Sequence, residues 1–269
     1  YFVKQFMNTK IGRIAFFNSV DENQLLLSKT KENIYYLINS SDKVLGRTVF
    51  LEQKSYDCKK LTSALGLISN RRSTLLDVGA NIGTIGIFGV SKGYFNQCIA
   101  FEPEPINFKL LKQNVLLNNL EKKFDLRNVA LSNQGDGTLD FELSNDNYGD
   151  HRLRFHNQPG KYNESDRKVI SVSVNTLDSI LVDVNIEDCL LFMDTQGFEG
   201  HVLSGAKNLI QKGVPIVMEF WPYGLNRADS FTLLCDALNN SKYTSMWDLR
   251  KPNVKLKFSI DNLERISFE

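Results

Sequence analysis

Two acids that close apolar runs, Asp77 in LLDVGANIG and Glu102 in CIAFEPEP, stand 25 residues apart, with Gly79 and Gly83 just after the first. In doubly wound folds an acid about that far past a glycine turn accepts hydrogen bonds from ribose hydroxyls. Leu75, Leu76 and Val78 predict a buried parallel strand carrying Asp77 to its C-terminal end. Gly79 and Gly83 are expected to let backbone pass close to a ligand, so that a side chain at either would occupy ligand space. Asn81 is expected to brace the turn through its amide, and a helix starting near Thr84 to aim free N–H groups at the ligand. The expected site is therefore Asp77, Gly79, Ala80, Asn81, Gly83, Thr84, Glu102 and Pro103. Singly, each residue has a plainer role, since strand-end glycines serve turns and a strand-end acid can be solvated. The pairing at this spacing favours a ribose.

The glycine pattern narrows the ligand. A dinucleotide fold uses G-x-G-x-x-G, whose second glycine admits a pyrophosphate, whereas this turn has Ala80 and Asn81. No GKS or GKT sequence marks a P-loop. S-adenosylmethionine fits better, having an adenosine but an amino acid in place of phosphates.

Five segments in order, DVGANIG, FEPEP, NVALSN (128–133), NTLDS (175–179) and MDTQGFEGHVLSGA (193–206), resemble the FkbM family of S-adenosylmethionine-dependent methyltransferases over roughly residues 35–225. DVGAN alone marks only a class I methyltransferase; the DxxGxE segment followed by VLxGA is more restrictive. The resemblance implies O-methyl transfer, often to a sugar hydroxyl of a polysaccharide, glycolipid or natural product, and adds Val129 and Ala130 to the cofactor contacts. Phe192 stands where the family usually has Lys, and Gln196 where it often has Glu.

Methyl transfer needs an acceptor oxygen aligned behind the sulfonium methyl, and an alcohol must also lose its proton. The strand LLFMD delivers Asp194 to the ligand edge of the sheet, as a carboxylate expected to orient the acceptor or take its proton and to touch the cofactor, although capping of the following helix would suit it equally. Glu219 and Trp221 in VMEFWPYG are further candidates, an acid and a sugar-stacking ring. Glu199 suits helix support, and His201 is expected to be exposed. Tyr148, His151 and Arg152, in the polar stretch 144–168, are expected to contact the acceptor from a mobile, largely solvated loop.

Alternation of apolar runs with helical patterns predicts an α/β, Rossmann-like class I fold: a mostly parallel seven-stranded sheet with an antiparallel C-terminal strand. Parallel strands are expected near 74–78, 97–102, 124–130, 189–194 and 215–220, and a terminal pair at 243–249 and 255–260. Residues 1–72 are expected to form a helical and hairpin extension, its two strands joined around Ser40–Lys43. Residues 73–269 are expected to form the class I methyltransferase domain, with an inserted β-unit and loop at about 138–174. Ile106, Leu110, Leu111, Val115 and Leu117 repeat at helical spacing.

The 269 residues, 42% hydrophobic with net charge +1, suffice for one substantial core. Lys59-Lys60 and Arg71-Arg72 fall far short of a phosphate-tracking patch, so no nucleic-acid partner is expected. Cys58, Cys98, Cys189 and Cys235 suit reduced thiols and a cytoplasmic setting, and the three histidines lack metal-ligand spacing. No apolar run reaches membrane-spanning length. Because it begins with Tyr1, the chain is expected to be a processed or excised part of something longer. The expected partner is a small-molecule or glycan acceptor; oligomeric state has no signature. Two other readings fit parts of the chain: a nucleotide-dependent oxidoreductase, which would want the missing glycine fingerprint, and a catalytically silent cofactor-binding module. Nicotinamide binding would favour the first, and cofactor binding without turnover the second.

Overall fold

The computed structural model describes residues 9–157, 159–239 and 241–267; residues 1–8 of the expected extension and Gln158 of the expected loop lie outside the described residues. Helix α1 (Lys10–Ser19), containing the IGRIAFF segment, is capped by Thr9, whose hydroxyl accepts from the Gly12 amide at 3.0 Å. Strands β1 (Leu25–Lys29) and β2 (Tyr35–Asn39) pair as an antiparallel hairpin. This differs from the expected hairpin around Ser40–Lys43, because the segment after it is helix α2 (Leu45–Glu52). The Asp42 carboxylate explains the change: it accepts from the amides of Val44, Leu45 and Gly46 at 3.1, 3.1 and 2.7 Å. Three orphan donors satisfied by one acid nucleate a helix that alternation alone does not suggest. Helix α3 (Cys58–Leu65) follows.

The central layer runs β3 (Thr74–Val78), α4 (Thr84–Ser91), β4 (Gln97–Phe101), α5 (Pro105–Leu117) and β5 (Phe124–Arg127). An inserted unit of β6 (Ala130–Leu131), β7 (Gly137–Leu143), β8 (Arg152–Leu153) and β9 (Lys168–Asn175) makes a separate sheet in the order β6-β9-β7-β8. The chain returns through α6 (Leu177–Ile180), β10 (Cys189–Met193), α7 (Glu199–Ser204), α8 (Lys207–Lys212) and β11 (Ile216–Met218). It closes with α9 (Pro222–Arg227), α10 (Ser230–Asn239), β12 (Ser245–Trp247), β13 (Lys255–Lys257) and α11 (Ile260–Ser267). No helix of the described residues is long and apolar enough to cross a membrane.

The core sheet is parallel, in the order β11-β10-β3-β4-β5. It holds five strands instead of the expected seven: β12 and β13 pair only with each other among the described residues, three residues apiece, and β11 is the edge. The third strand also ends at Arg127, so Val129 and Ala130 pass into the inserted unit. Every residue of β3 and β10 is buried, as strands covered on both faces must be. On one face Leu75, Leu190 and Phe192 pack with Phe17, Tyr36, Ile38 and Val49 of the N-terminal segment; on the other, Leu76, Leu191 and Met193 meet Val202 and Leu234. The Phe192 position is thus part of a dry core that joins the extension to the sheet.

Of the α5 residues at helical spacing, Leu110, Leu111 and Val115 are buried, whereas Ile106 and Leu117 are exposed. The helix instead presents two amides to the hairpin. Asn114 accepts from Leu37 N at 2.6 Å and donates to Leu37 O and Ile82 O; Asn118 accepts from Tyr35 N and donates to Tyr35 O. These side chains complete the outer edge of β2 as a neighbouring strand would. Asn114→Ala should therefore leave buried backbone groups unpaired and destabilise the fold by roughly 2–5 kcal/mol, measured by urea unfolding; a change within about 0.5 kcal/mol would show that the clasp is dispensable.

Candidate active site

The order of the strands reverses between β3 and β10, whose C-terminal ends lie side by side and give the sheet its crevice. Gly79 leaves β3 with φ +80°, and a Cβ there would sit 1.9 Å from the backbone oxygen of Asp194. A Cβ on Gly83 would strike Leu111 and Ile87 at 2.6 and 2.9 Å. Both glycines therefore serve packing within the protein, contrary to the expectation that side chains there would invade ligand space. Asp77 is buried inside β3, and its carboxylate accepts from Gly86 N at 2.9 Å, fastening helix α4 to the strand. Ala80 and Thr84 are buried as well.

Asn81 adopts a left-handed conformation, φ +51°, and its amide N–H donates to Glu102 Oε2 at 2.8 Å. The other Glu102 oxygen accepts from Glu104 N, also at 2.8 Å. Burial pushes Glu102 up to about 8 despite these two donors. The Asn81 side chain reaches across to the backbone oxygen of Tyr148 at 2.8 Å, and Asn107 Nδ2 shares that oxygen at 3.3 Å. Asn107 is buried, and its Oδ1 has no hydrogen-bond partner.

The inserted unit forms the opposite wall. Far from a solvated loop, residues 148–150 make a turn whose Tyr148 N–H donates to Asp42 at 3.4 Å. His151 Nδ1 accepts from Ser144 N at 2.9 Å, so the neutral ring carries its proton on Nε2. Burial, then the charge of Arg167, holds His151 down to about 4 and keeps it neutral. Arg152 is 4% exposed and ion-paired to Glu142 at 2.8 Å and Glu164 at 3.0 Å. The polar pattern of 144–168 encodes a buried ion network because each arginine meets an acid of the same unit.

At the end of β10, Gln196 is left-handed, φ +55°, and its amide donates to Asp194 Oδ1 at 2.6 Å and Glu219 Oε2 at 2.7 Å. Burial and then the neighbouring Asp194 push Glu219 up to about 8; Asp194 is raised by burial, against the Gln196 bond and the charge of Lys60. Glu199 is buried and holds this turn by accepting from Thr195 N and Oγ1 at 2.9 and 2.8 Å. Burial lifts it to about 7. His201 is buried instead of exposed: its Nε2 meets Ala228 O at 2.8 Å, its ring stacks on Phe198 at 4.0 Å, and the adjacent Gly200 lets α10 approach closely.

These parts line a shared cleft. Of the residues expected from sequence, Gly79, Asn81, Glu102, Pro103, Val129, Ala130, Asp194, Tyr148, His151 and Arg152 line it. Asp77, Ala80, Gly83 and Thr84 lie behind it, Glu219 reaches it only through Gln196, and Trp221 packs beside Tyr162 and Tyr223 with the Arg152 guanidinium 5.1 Å above its ring. Asn107, Phe141, Thr195 and Phe198 also line the cleft and were not singled out from sequence. Asn107 falls three residues after the capping acid Glu104, a polar residue on the inward face of a helix, which is the one signal that marks it.

The family model described as the Methyltransferase FkbM domain matches residues 77–243, more than half of the chain. No curated protein matches the chain. Among solved structures it is similar to a transferase of Pyrococcus horikoshii (19% identity, TM-score 0.32, 42% of this chain and 40% of that one). It is also similar to a precorrin-6y C5,15-methyltransferase of Geobacter metallireducens (11%, 0.39, 70% and 72%). A third is a Pyrococcus abyssi tRNA (uracil-54, C5)-methyltransferase in complex with S-adenosyl-L-homocysteine (20%, 0.28, 38% and 23%). The chain thus spans about two fifths of the length of the first of these.

The buried acids make stability depend on pH. Asp77 and Glu199 at about 7, and Glu102 and Glu219 at about 8, hold protons more tightly in the folded chain than carboxyls do when unfolded. Their stabilising contribution is complete below the ordinary carboxylate range and is lost as pH rises through 7 and 8. His151 and His201, both shifted down, act in the opposite sense but only below their ordinary range near 6.5. The urea midpoint of the ligand-free protein should fall between about pH 7 and 8.5, and a flat or rising midpoint would contradict the burial of these groups.

Proposed function

Because the chain belongs to the FkbM family of S-adenosylmethionine-dependent methyltransferases, we propose that it methylates an alcohol oxygen of a carbohydrate-like acceptor, with Asp194 at the reacting hydroxyl. The observation that carries this reading is one of assembly. Six residues expected to touch the cofactor (Gly79, Asn81, Glu102, Pro103, Val129 and Ala130) line a single cleft with Asp194.

The cleft fits an adenosine-bearing ligand. Asn107 Oδ1 is an orphaned buried acceptor in its wall, able to take an N–H or O–H of the ligand. Glu102 spends one hydrogen bond per oxygen on backbone amides, leaving lone pairs for ribose hydroxyls. The cofactor supplies an electrophilic methyl on a sulfonium sulfur. The rest falls to the chain. Asn81 and Gln196, both left-handed, hold Glu102 and Asp194 on opposite sides of the crevice. A non-glycine residue in that conformation stores strain that surrounding contacts must hold, as at many functional sites.

Gln196 tethers Asp194 and Glu219 through one amide, and two buried acids so close favour a single shared negative charge. Glu219, pushed up to about 8, keeps its proton at neutral pH, which leaves the carboxylate at Asp194 to accept the hydroxyl proton of the acceptor. His151, neutral and carrying its proton on Nε2, can donate a hydrogen bond from the facing wall. Alignment of the acceptor oxygen supplies the larger share of the rate, with Asp194 adding proton removal.

Two substitutions separate binding from chemistry. Glu102→Ala should weaken S-adenosylmethionine by about ten- to a hundredfold in calorimetry, the loss of one or two ribose hydrogen bonds of about 1.5 kcal/mol each. Asp194→Asn should leave that affinity intact while turnover falls by roughly 10² to 10⁴. Turnover is read by mass spectrometry as a gain of one methyl on oxygen in a screen of sugars, nucleotide sugars and natural products. Full turnover by Asp194→Asn, or a methyl found on carbon or nitrogen, would exclude this mechanism.

A further inference from the structure

Asn107 borders the cleft and is 1% exposed, and its Oδ1 accepts no hydrogen bond from any described residue. The other end of the amide fixes its orientation. Tyr148 O can only accept, so the atom 3.3 Å from it is the Nδ2 group and the free atom is the oxygen. Holding Tyr148 needs only Nδ2, a task the Asn81 amide also performs at 2.8 Å. A buried acceptor without a donor costs stability, so Oδ1 marks a place where a ligand brings an N–H or O–H.

S-adenosylmethionine offers such groups at the ammonium of its amino-acid arm, the two ribose hydroxyls and the amino group of adenine. Two chains of hydrogen bonds tie Asn107 to Glu102, the acid assigned to the ribose. On one side Glu104 N donates to Glu102 Oε1 at 2.8 Å and Asn107 N to Glu104 Oε2 at 2.6 Å. On the other, Asn81 N donates to Glu102 Oε2 at 2.8 Å, and the Asn81 and Asn107 amides share Tyr148 O. Both residues therefore border one corner of the cleft, just past the end of β4, while Asp194 follows β10 on the far side of β3. The two hydroxyls are vicinal, so an acceptor beside Glu102 meets one of them. The ammonium belongs to the arm that leaves the sulfonium away from the ribose, and the adenine amino group lies across the whole base.

We propose that Asn107 reads the cofactor ribose together with Glu102, its Oδ1 accepting from one hydroxyl while the carboxylate takes the other. The inference rests on the methyltransferase reading and assigns a ribose-specificity residue to α5, the helix after β4. Two separate acceptors require both hydroxyls to be free. A deoxy ribose leaves one acceptor unpaired, and a phosphorylated one sets an anion against it, so both are rejected.

Calorimetry compares S-adenosylhomocysteine with its 2′-deoxy and 3′-deoxy analogues, a readout independent of the acceptor. Wild-type protein should bind each analogue at least about fivefold more weakly. In Asn107→Leu, close to asparagine in shape, the penalty against one analogue should shrink to within about twofold while the other persists. Glu102→Ala should give the complement, keeping the penalty that Asn107→Leu abolishes. A purely structural loss weakens all three ligands alike and leaves both ratios as they were. Thermal melting checks that each variant folds, and Glu102→Ala decides alone should Asn107→Leu not fold. An analogue that binds wild type as well as S-adenosylhomocysteine does, both penalties kept or both lost in folded Asn107→Leu, or any number but one surviving in Glu102→Ala would overturn the proposal. Failure of S-adenosylhomocysteine itself to bind wild type would instead overturn the methyltransferase reading.

Discussion

The approach of Gly79 to the backbone of Asp194 is the constraint on which the site depends. A Cβ at Gly79 would lie 1.9 Å from that carbonyl oxygen, so the ends of β3 and β10 can close up only around a glycine. Their closeness sets the separation of the two turns that follow, and with it the span between Glu102 and Asp194. A doubly wound sheet opens a crevice wherever its strand order reverses. Here its floor leaves no room for a side chain at Gly79. The helices that start beyond it are fixed by acids, Asp77 on Gly86 N and Glu199 on Thr195 N, so both turns are held from behind as well as below.

Carboxyls accumulate around this floor: Asp77, Glu102, Asp194, Glu199 and Glu219 all have proton affinities raised, chiefly by burial. The fold tolerates them because nearly every one accepts from backbone or amide N–H groups. Their arrangement favours a cation between them, since a positive ligand would draw off protons and restore full charge. On the proposed reading that cation is the sulfonium, attracted by the acids as a group with no single one decisive.

The strands of the core sheet were legible because β3 and β10 are buried on both faces and therefore written as continuous apolar runs. The side of the cleft formed by Gly79, Asn81 and Glu102 was legible for a similar reason, since glycine, asparagine and acid fall at fixed offsets from those runs. What escaped was structure built by polar side chains acting at a distance. Asp42 turns an alternating segment into helix α2, and Asn114 and Asn118 stand in for a strand that the alternation of residues 33–52 seemed to require. The helical position of His201 suggested exposure, yet Gly200 brings α10 close enough to bury it. Local patterning carries no information about such long-range partners.

The inserted unit shows the same limit at larger scale. Its apolar cluster is small, with Phe141, Leu153, Val172 and Val174 at its centre. Cohesion passes instead to arginines and acids spread over β7, β8, the turn at Glu164 and α9. Ion pairs of this kind gain little over apolar packing in stability, but they fix geometry, because each guanidinium fork accepts carboxylates only in certain directions. A wall held by direction suits a site that must present one hydroxyl of a polar molecule. The unit is anchored at both ends as well, through Asp42 to Tyr148 on the extension side and Tyr223 to Glu164 on the sheet side, the latter at 2.7 Å. What reads in sequence as a loose polar loop therefore carries a network of ion pairs beside the cleft. On the proposed reading, acceptor selection follows from where these fixed charges stand.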